Sequence, residues 1–440
     1  MPESSTQQAS FINWFRDSSP YIHAHRNKTF VIFFGGESVQ SKSFANHVHD
    51  FALLNSLGIR LVLVHGIRPQ IEQRLKNNNQ QSTFVGPHRI TDSTTLQYVK
   101  ESAGHARVEI EALLSMGLAN SPMSGAKIKV TSGNFVTAKP IGILKGTDFC
   151  FTGTVRRIDS TAINAHLQNH NVVLISPIGY SPTGEVFNLS AEEVATDIAI
   201  ALQADKLILM TEENCLNETT QHLIPQLTVS ETSALLTKAS DHSLKPSLTA
   251  AIKACQKNID RVHLINRHLE GGLLLELFSR NGVGTLISAN SYEKLRTATT
   301  HDIPGILDLI RPLEAENKLV TRSREHIEID IENYSILERD GLIIGCIALN
   351  TFPNTTIAEV ACLVVHPDYQ HAARGQQLLA HTLTQAKQNK TRQVIAFSTQ
   401  SSHWFFEHGF LEIGLEAIAE IGIKPQQIER KAKILHKLIS

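Results

Sequence analysis

Near residue 290 this 440-residue chain exchanges one sheet pattern for another, and no single sheet accommodates both. From Thr29 onward, apolar and β-branched runs alternate with helical segments. Strands are predicted at 29–34, 60–65, 127–131, 172–175, 207–211 and 261–266, with helices at 43–57, 191–202 and 247–257. Fully apolar strands separated by helices predict an α/β unit whose mostly parallel sheet is covered on both faces, a three-layer αβα sandwich. After 290 the order is a short strand (295–298), a helix (303–316) and then strands 334–339, 342–350 and 357–365 in direct succession, the first two joined by the hairpin signal Asp340-Gly341. The expected organisation is an arm (1–26), a domain at 27–290 and a second α/β domain at 294–440. In the arm, Phe11, Ile12, Trp14 and Phe15 suggest a short amphipathic helix that breaks at Pro20. The stretch 214–243 reads as an irregular excursion carrying one helix.

The 41 basic and 42 acidic residues nearly cancel, which leaves no global field to attract nucleic acid or a membrane surface. Five cysteines without a Cys-x-x-Cys pair, and 21 histidines without a His-Glu-x-x-His pair, imply reduced thiols and no metal site. No basic-then-apolar leader or membrane-length run is present, so a soluble cytoplasmic protein is expected.

The chemistry gathers after the strand 357–365. That strand ends at His366-Pro367, passes through Gln370, His371, Ala372, Ala373, Arg374 and Gly375, and opens an apolar-periodic helix. A turn of this kind aims backbone N–H groups at one point beside a helix N-terminus, a seat for a pyrophosphate. Glu359 stands in the strand itself as either a general base or a solvated strand-end charge. Ser398 ends the next apolar strand as either a proton donor or a helix cap. Arg322 and Arg430 are either solvated charges or guanidinium clamps for a dicarboxylic amino acid.

The Gln370–Gly375 segment resembles the coenzyme A loop of the GCN5-related acetyltransferases, with Ala373 at a position that is commonly glycine. With Leu319-Val320, Arg322 to Glu325, Glu359 to Val365, Phe397 to Thr399 and Arg430 to Lys433, the C-terminal domain resembles the bacterial N-acetylglutamate synthases. The resemblance implies acetyl-CoA as co-substrate, held by Cys362, Leu363, Val364, Val365 and Gln370 to Gly375, and L-glutamate as acceptor. It implies that Arg322, Val320, Cys362 and Arg430 hold the acceptor, with Arg322 on the α-carboxylate and Arg430 on the side-chain carboxylate. Glu359 would be the base and Ser398 the acid, because the usual Tyr position is Phe405. Ala432 stands where relatives have Ser.

Residues 20–290 resemble the amino acid kinase family through Gly35-Gly36, Ser132 to Phe135, Asn188 to Glu192, Ala204 to Thr211 and Glu276 to Thr285. Phosphoryl transfer needs cations on the moving phosphate, yet the first strand ends Val31-Ile32-Phe33-Phe34 and the second runs into His65-Gly66-Ile67-Arg68-Pro69. The resemblance therefore implies a sensor for L-arginine rather than a kinase, with Tyr21, Lys206, Glu276, Ser279 and Gly282 lining the effector site. It also implies a homo-oligomer, a hexamer. Alternatives are a protein-lysine acetyltransferase with an amino-acid-sensing domain and a non-catalytic arginine-responsive binding protein.

Overall fold

The computed structural model describes residues 5–439 except 118–121, 218, 239–242, 290–292, 340, 354, 371–372 and 415–431, with side chains from Phe11 onward. The chain forms two compact units, Met1–Asn290 and Ser291–Ser440.

The first unit opens with α1 (Ser5–His25), one helix that continues through Pro20 where a break was expected. Proline removes a single intrahelical donor, and the bonding around it persists: the Ser18 hydroxyl donates to the Trp14 carbonyl at 2.9 Å. The central sheet contains β1 (Thr29–Phe34), β2 (Arg60–His65), β3 (Val130–Thr131), β4 (Val172–Ile175), β5 (Lys206–Thr211), β6 (Gln226–Thr228), β7 (Val262–Asn266) and β8 (Thr285–Ser288) in the order β6-β8-β7-β5-β1-β2-β4-β3. All pairs are parallel except β7 with β8. Because β1 is interior, both of its faces are apolar. Val31 and Phe33 enter one core cluster, while Phe30, Ile32 and Phe34 enter the other. β3 pairs over only two residues at the sheet edge, since Lys127 and Lys129 face solvent. A separate four-stranded sheet (Val136–Pro140, Gly153–Ile158, Ile178–Tyr180, Val186–Asn188) was not anticipated, because its strands are short and polar residues interrupt them.

The second unit is a seven-stranded sheet of β9 (Lys294–Thr297), β10 (Tyr334–Arg339), β11 (Leu342–Thr351), β12 (Ile357–Val365), β13 (Gln393–Ser398), β14 (Leu411–Ile413) and β15 (Lys433–Leu438), ordered β9-β10-β11-β12-β13-β15-β14. Only β12 and β13 run parallel. Between them α5 (Arg374–Gln388) supplies the crossover. It packs Leu378 and Leu379 on the face that carries Val360 and Ala396. On the opposite face α3 (Ile303–Ala315) packs Ile306 and Ile310 against Cys346, Ala348 and Cys362, beside α4 (Arg324–Ile329). Among the described residues no helix is long and apolar enough to cross a membrane, and no group of three or more His, Cys, Asp or Glu is placed to hold a metal ion.

Candidate functional site

The parallel pairing of β12 with β13 runs only from Ile357↔Gln393 to Val360↔Ala396. β12 continues to Val365 and β13 to Ser398, so the strands part and open a seam in the sheet. β12 is also bulged there. Ala348 pairs with Ala361 and Cys346 with Val364, which leaves Cys362 and Leu363 both facing Ile347. Cys362 takes φ +50, a left-handed conformation that non-glycine residues adopt only when their surroundings enforce it. A bulge turns backbone N–H groups out of the ladder, and this one lies on β12 just past the point where its pairing with β13 ends.

Glu359 lies opposite Asn350 and Ile395 and is 6% exposed. Strand alternation puts it on the α3 face with Ala361, not at a solvated strand end. Arg322 comes to the same place from the loop before α4. Its Nη1 donates to the Val320 carbonyl at 3.0 Å, and its backbone N–H donates to Glu314 Oε1 at 2.9 Å. Burial works against the guanidinium's charge, but Cys362, Tyr334, Glu359 and Glu314 outweigh it and hold the Arg322 pKa above its ordinary value. Val320, Arg322, Glu359 and Cys362 are thus brought into one electrostatic neighbourhood. Tyr334 and Glu314 belong to it as well, although no local motif marks either residue.

The Tyr334 hydroxyl is 3.9 Å from Cys362 Sγ, and Cys346 Sγ donates to the Cys362 carbonyl at 3.5 Å. Burial pushes the Cys362 thiol up, against the opposing pull of Arg322. A thiol kept protonated is a poor nucleophile, so this arrangement favours direct attack of an acceptor over an acyl-cysteine route.

Ser398 is buried, and its Oγ accepts the Ser401 N–H at 2.9 Å. The bond fixes the turn ahead of the next short helix rather than capping it, since that helix begins after Ser401 and has no side-chain cap, and the hydroxyl proton remains available to donate. Alternation places Ser398 with Val394 and Ala396 on the α5 face, so Glu359 and Ser398 reach the seam from opposite sides. Phe405, in the short helix α6 (Ser402–Glu407), is core, with its ring 5.1 Å from that of Phe410.

Beyond the seam, Ala373 caps α5 at φ +53, the left-handed position that glycine fills without strain. Gln370 Nε2 donates to the Val365 carbonyl at 3.1 Å. The Arg374 side chain turns to Glu293 and Tyr369, so the loop offers backbone rather than this guanidinium. His371, Ala372 and Arg430 lie outside the described residues.

In the first unit, Lys206, Glu276 and a residue not foreseen, His263, form a buried chain. Lys206 Nζ is 3.3 Å from His263 Nε2, and His263 Nδ1 is 2.6 Å from Glu276 Oε1. Lysine only donates, so Nε2 accepts and Nδ1–H donates to the carboxylate. Glu276 Oε2 accepts the Val283 and Gly284 N–H groups at 2.7 Å each. Burial opposes ionisation, but these bonds, led by His263, bring the Glu276 pKa down to about 2. Gly282 has φ +61, and a Cβ there would strike the Glu276 carboxylate. Ser279 Oγ donates to the Leu275 carbonyl. Tyr21 packs against the same core as Leu277, with its ring 6.5 Å from that of His25.

The loops after β1 and β2 close on each other. A Cβ on Gly66 would come within 2.8 Å of the Gly36 nitrogen, and Gln70 Nε2 donates to the Gly36 carbonyl at 2.8 Å. After β5, Glu212 is paired with Arg267 and His268.

Residues 28–266 match the amino acid kinase family, and 330–412 match the acetyltransferase (GNAT) domain. The chain is 45% identical to the amino-acid acetyltransferase of Ectopseudomonas mendocina, across 98% of this chain and 99% of that protein. It is 45% identical to the protein of the same description from Shewanella oneidensis, across 96% of each. The crystal structure of N-acetylglutamate synthase from Neisseria gonorrhoeae complexed with coenzyme A and L-arginine superposes with a TM-score of 0.88 at 34% identity, covering 98% of this chain and 99% of that one. The same enzyme complexed with coenzyme A and N-acetyl-glutamate gives a TM-score of 0.63 over the same coverage.

Proposed function

This chain belongs to the amino-acid acetyltransferases, and from that premise we propose a division of labour among its residues. It transfers the acetyl group of acetyl-CoA to the amine of L-glutamate, yielding N-acetyl-L-glutamate and CoA, with L-arginine as feedback inhibitor. The observation that carries the residue assignments is the grouping of Arg322, Glu359 and the bulged Cys362 beside the opened β12–β13 seam. A half-buried guanidinium next to a buried carboxylate suits a free amino acid, whose carboxylate pairs with Arg322 while its ammonium faces Glu359. It suits a peptide lysine poorly, since that acceptor has no α-carboxylate to offer.

Glu359 takes a proton from the ammonium, directly or through a water, and the free amine attacks the thioester carbonyl. Backbone N–H groups of Cys362 to Val365 meet the charge that develops on the carbonyl oxygen. Ser398, on the other side of the seam, protonates the leaving thiolate. The left-handed Ala373 and the start of α5 suit a pyrophosphate, and the loop Gln370 to Gly375 seats it through backbone amides. Val320 and Arg430 complete the acceptor's surroundings.

Residues 27–290 act as the effector domain. Glu276 meets the arginine guanidinium, and Lys206 its carboxylate, among Tyr21, Ser279 and Gly282. Residues 294–440 carry the chemistry. The arm 1–26 exposes Phe11, Ile12, Trp14 and Phe15 for assembly with other copies, as a hexamer.

The deciding experiment is thiol release from acetyl-CoA across free amino acids and lysine peptides, with and without arginine. Turnover with glutamate that arginine suppresses is expected. Turnover confined to other acceptors would overturn the substrate assignment.

A further inference from the structure

The Arg374 side chain does not face the pyrophosphate seat, and what it does instead links the donor loop to the junction between the two units. Its Nε lies 3.0 and 2.9 Å from Glu293 Oε1 and Oε2, and its Nη2 is 2.6 Å from Oε1. Its Nη1 donates to the Tyr369 carbonyl at 2.9 Å. Arg339 adds a second cation 3.6 Å from Glu293 Oε1. Both guanidinium carbons sit over the Tyr369 ring, at 5.5 and 5.4 Å from its centroid. Glu293 and Arg374 are largely buried, at 9% and 15% side-chain exposure. A single carboxylate thus ties down Tyr369, which precedes the loop, and Arg374, which follows left-handed Ala373 and begins α5.

Glu293 also occupies a particular place in the chain. β8, the last strand of the first unit's sheet, ends at Ser288, and β9 of the second unit begins at Lys294. The carboxylate that grips the donor loop therefore stands on the segment joining the two units.

We propose that Glu293 is a positioning residue that, through Arg374, holds the two flanks of the donor loop, Tyr369-Gln370 on one side and Ala373 to Gly375 on the other, in their acetyl-CoA-binding form, and that it carries the effector state of the first unit to them. The proposal rests on the reading of the loop as the acetyl-CoA seat and of the first unit as the arginine sensor. Glu293 touches neither substrate, so its effect falls on donor affinity rather than on the chemical step.

The test compares wild type, Glu293→Gln and Glu293→Asp by steady-state thiol release, and by calorimetric titration with coenzyme A. For Glu293→Gln the acetyl-CoA KM rises roughly tenfold while kcat and the glutamate KM stay within about twofold, as expected for a misplaced seat. Glu293→Asp falls between the two, and the coenzyme A dissociation constant follows the same order. In wild type, arginine raises the acetyl-CoA KM, and in Glu293→Gln that ratio moves toward one while arginine still binds. A purely structural ion pair would lower Tm and change both KM values or neither, and that result overturns the proposal. If wild type does not respond to arginine, the effector reading fails and the transmission claim falls with it. The coenzyme A titration then decides the positioning claim by itself.

Discussion

His263 Nδ1 stands 2.6 Å from Glu276 Oε1 in the interior of the first unit, with Lys206 on the ring's other nitrogen. Burial first, and Lys206 second, pull the His263 pKa down, so the ring is a neutral bridge between a cation and an anion. A guanidinium that pairs with Glu276 would replace or share a bond that His263 now makes. Glu276→Gln is therefore expected to weaken arginine binding by at least about tenfold, the scale of one lost charge-assisted hydrogen bond. His263→Asn should weaken it less. Calorimetric titration of each variant with arginine checks both, and unchanged affinity in Glu276→Gln would remove this carboxylate from the site.

Asp50 carries a pH dependence of opposite sign to that of most carboxylates. Burial, and next the charge of Glu270, push its carboxyl up to about 7. The unfolded chain releases this proton near pH 4, whereas the folded chain keeps it until about pH 7. Its contribution to stability is thus full below about pH 4 and is lost as pH rises through 7. Asp50→Asn should stabilise the protein at pH 8 by on the order of 4 kcal/mol, read as a higher Tm, and leave Tm near pH 3.5 almost unchanged.

Two buried histidines act at the acid end. Burial brings His25 and His65 down to about 4, so both are neutral when folded and must charge as the protein acidifies. The unfolded chain binds those protons from about pH 6.5 downward, so stability falls between roughly pH 6.5 and 4. His65, which bonds Ser176 Oγ and the Gly66 carbonyl, is the better probe. In His65→Gln the acid limb of a Tm-against-pH curve should be shallower, and an unchanged slope would assign the acid lability elsewhere.

Ala373 occupies a left-handed cap at φ +53. Left-handed backbone costs an L-residue about 1 kcal/mol, part of which glycine returns through its freer unfolded chain. Ala373→Gly should stabilise the second unit by about 0.5 kcal/mol. It should also leave the acetyl-CoA KM level or lower, as read by thermal unfolding and thiol release. A loss of stability would mean that the Ala373 methyl makes contacts worth more than the strain.

The two-domain split was legible in the sequence because helix-alternating and strand-on-strand patterns cannot share a sheet, and β1, β2, β4, β10 and β12 were placed to the residue by their apolar runs. Glu359 and Arg322 stood out in the sequence as candidate site residues, but not as neighbours. Their meeting depends on the loop before α4 folding over β12. The Cys362 bulge is a register shift against β11, and register belongs to a pair of strands rather than to either one. His263 sits within the strand Val262–Asn266 with no motif around it to mark it. Glu293 lies 81 residues from Arg374, so nothing local to either residue announced the pair.

The opposed placement of Glu359 and Ser398 yields a prediction in which two variants fail differently. Glu359 lies on the α3 face beside Arg322, where the acceptor's ammonium would sit. Glu359→Gln keeps the shape and removes the base, so kcat should fall by about 10²–10⁴-fold with little change in the acetyl-CoA KM. Raising the pH should recover part of the rate, because a larger fraction of the amine is then already free. Ser398 lies on the α5 face, and its Oγ also accepts the Ser401 N–H. Ser398→Ala therefore loses a turn hydrogen bond worth about 1 kcal/mol together with the hydroxyl proton, whereas Ser398→Thr keeps both. If proton donation matters, Ser398→Ala should slow turnover with acetyl-CoA more than with an activated thioester whose thiolate leaves unprotonated, and Ser398→Thr should respond to both donors alike. Equal slowing with both donors would reduce Ser398 to its turn hydrogen bond and leave thiolate protonation to another group, with the buried Tyr334 hydroxyl beside Cys362 the next to test.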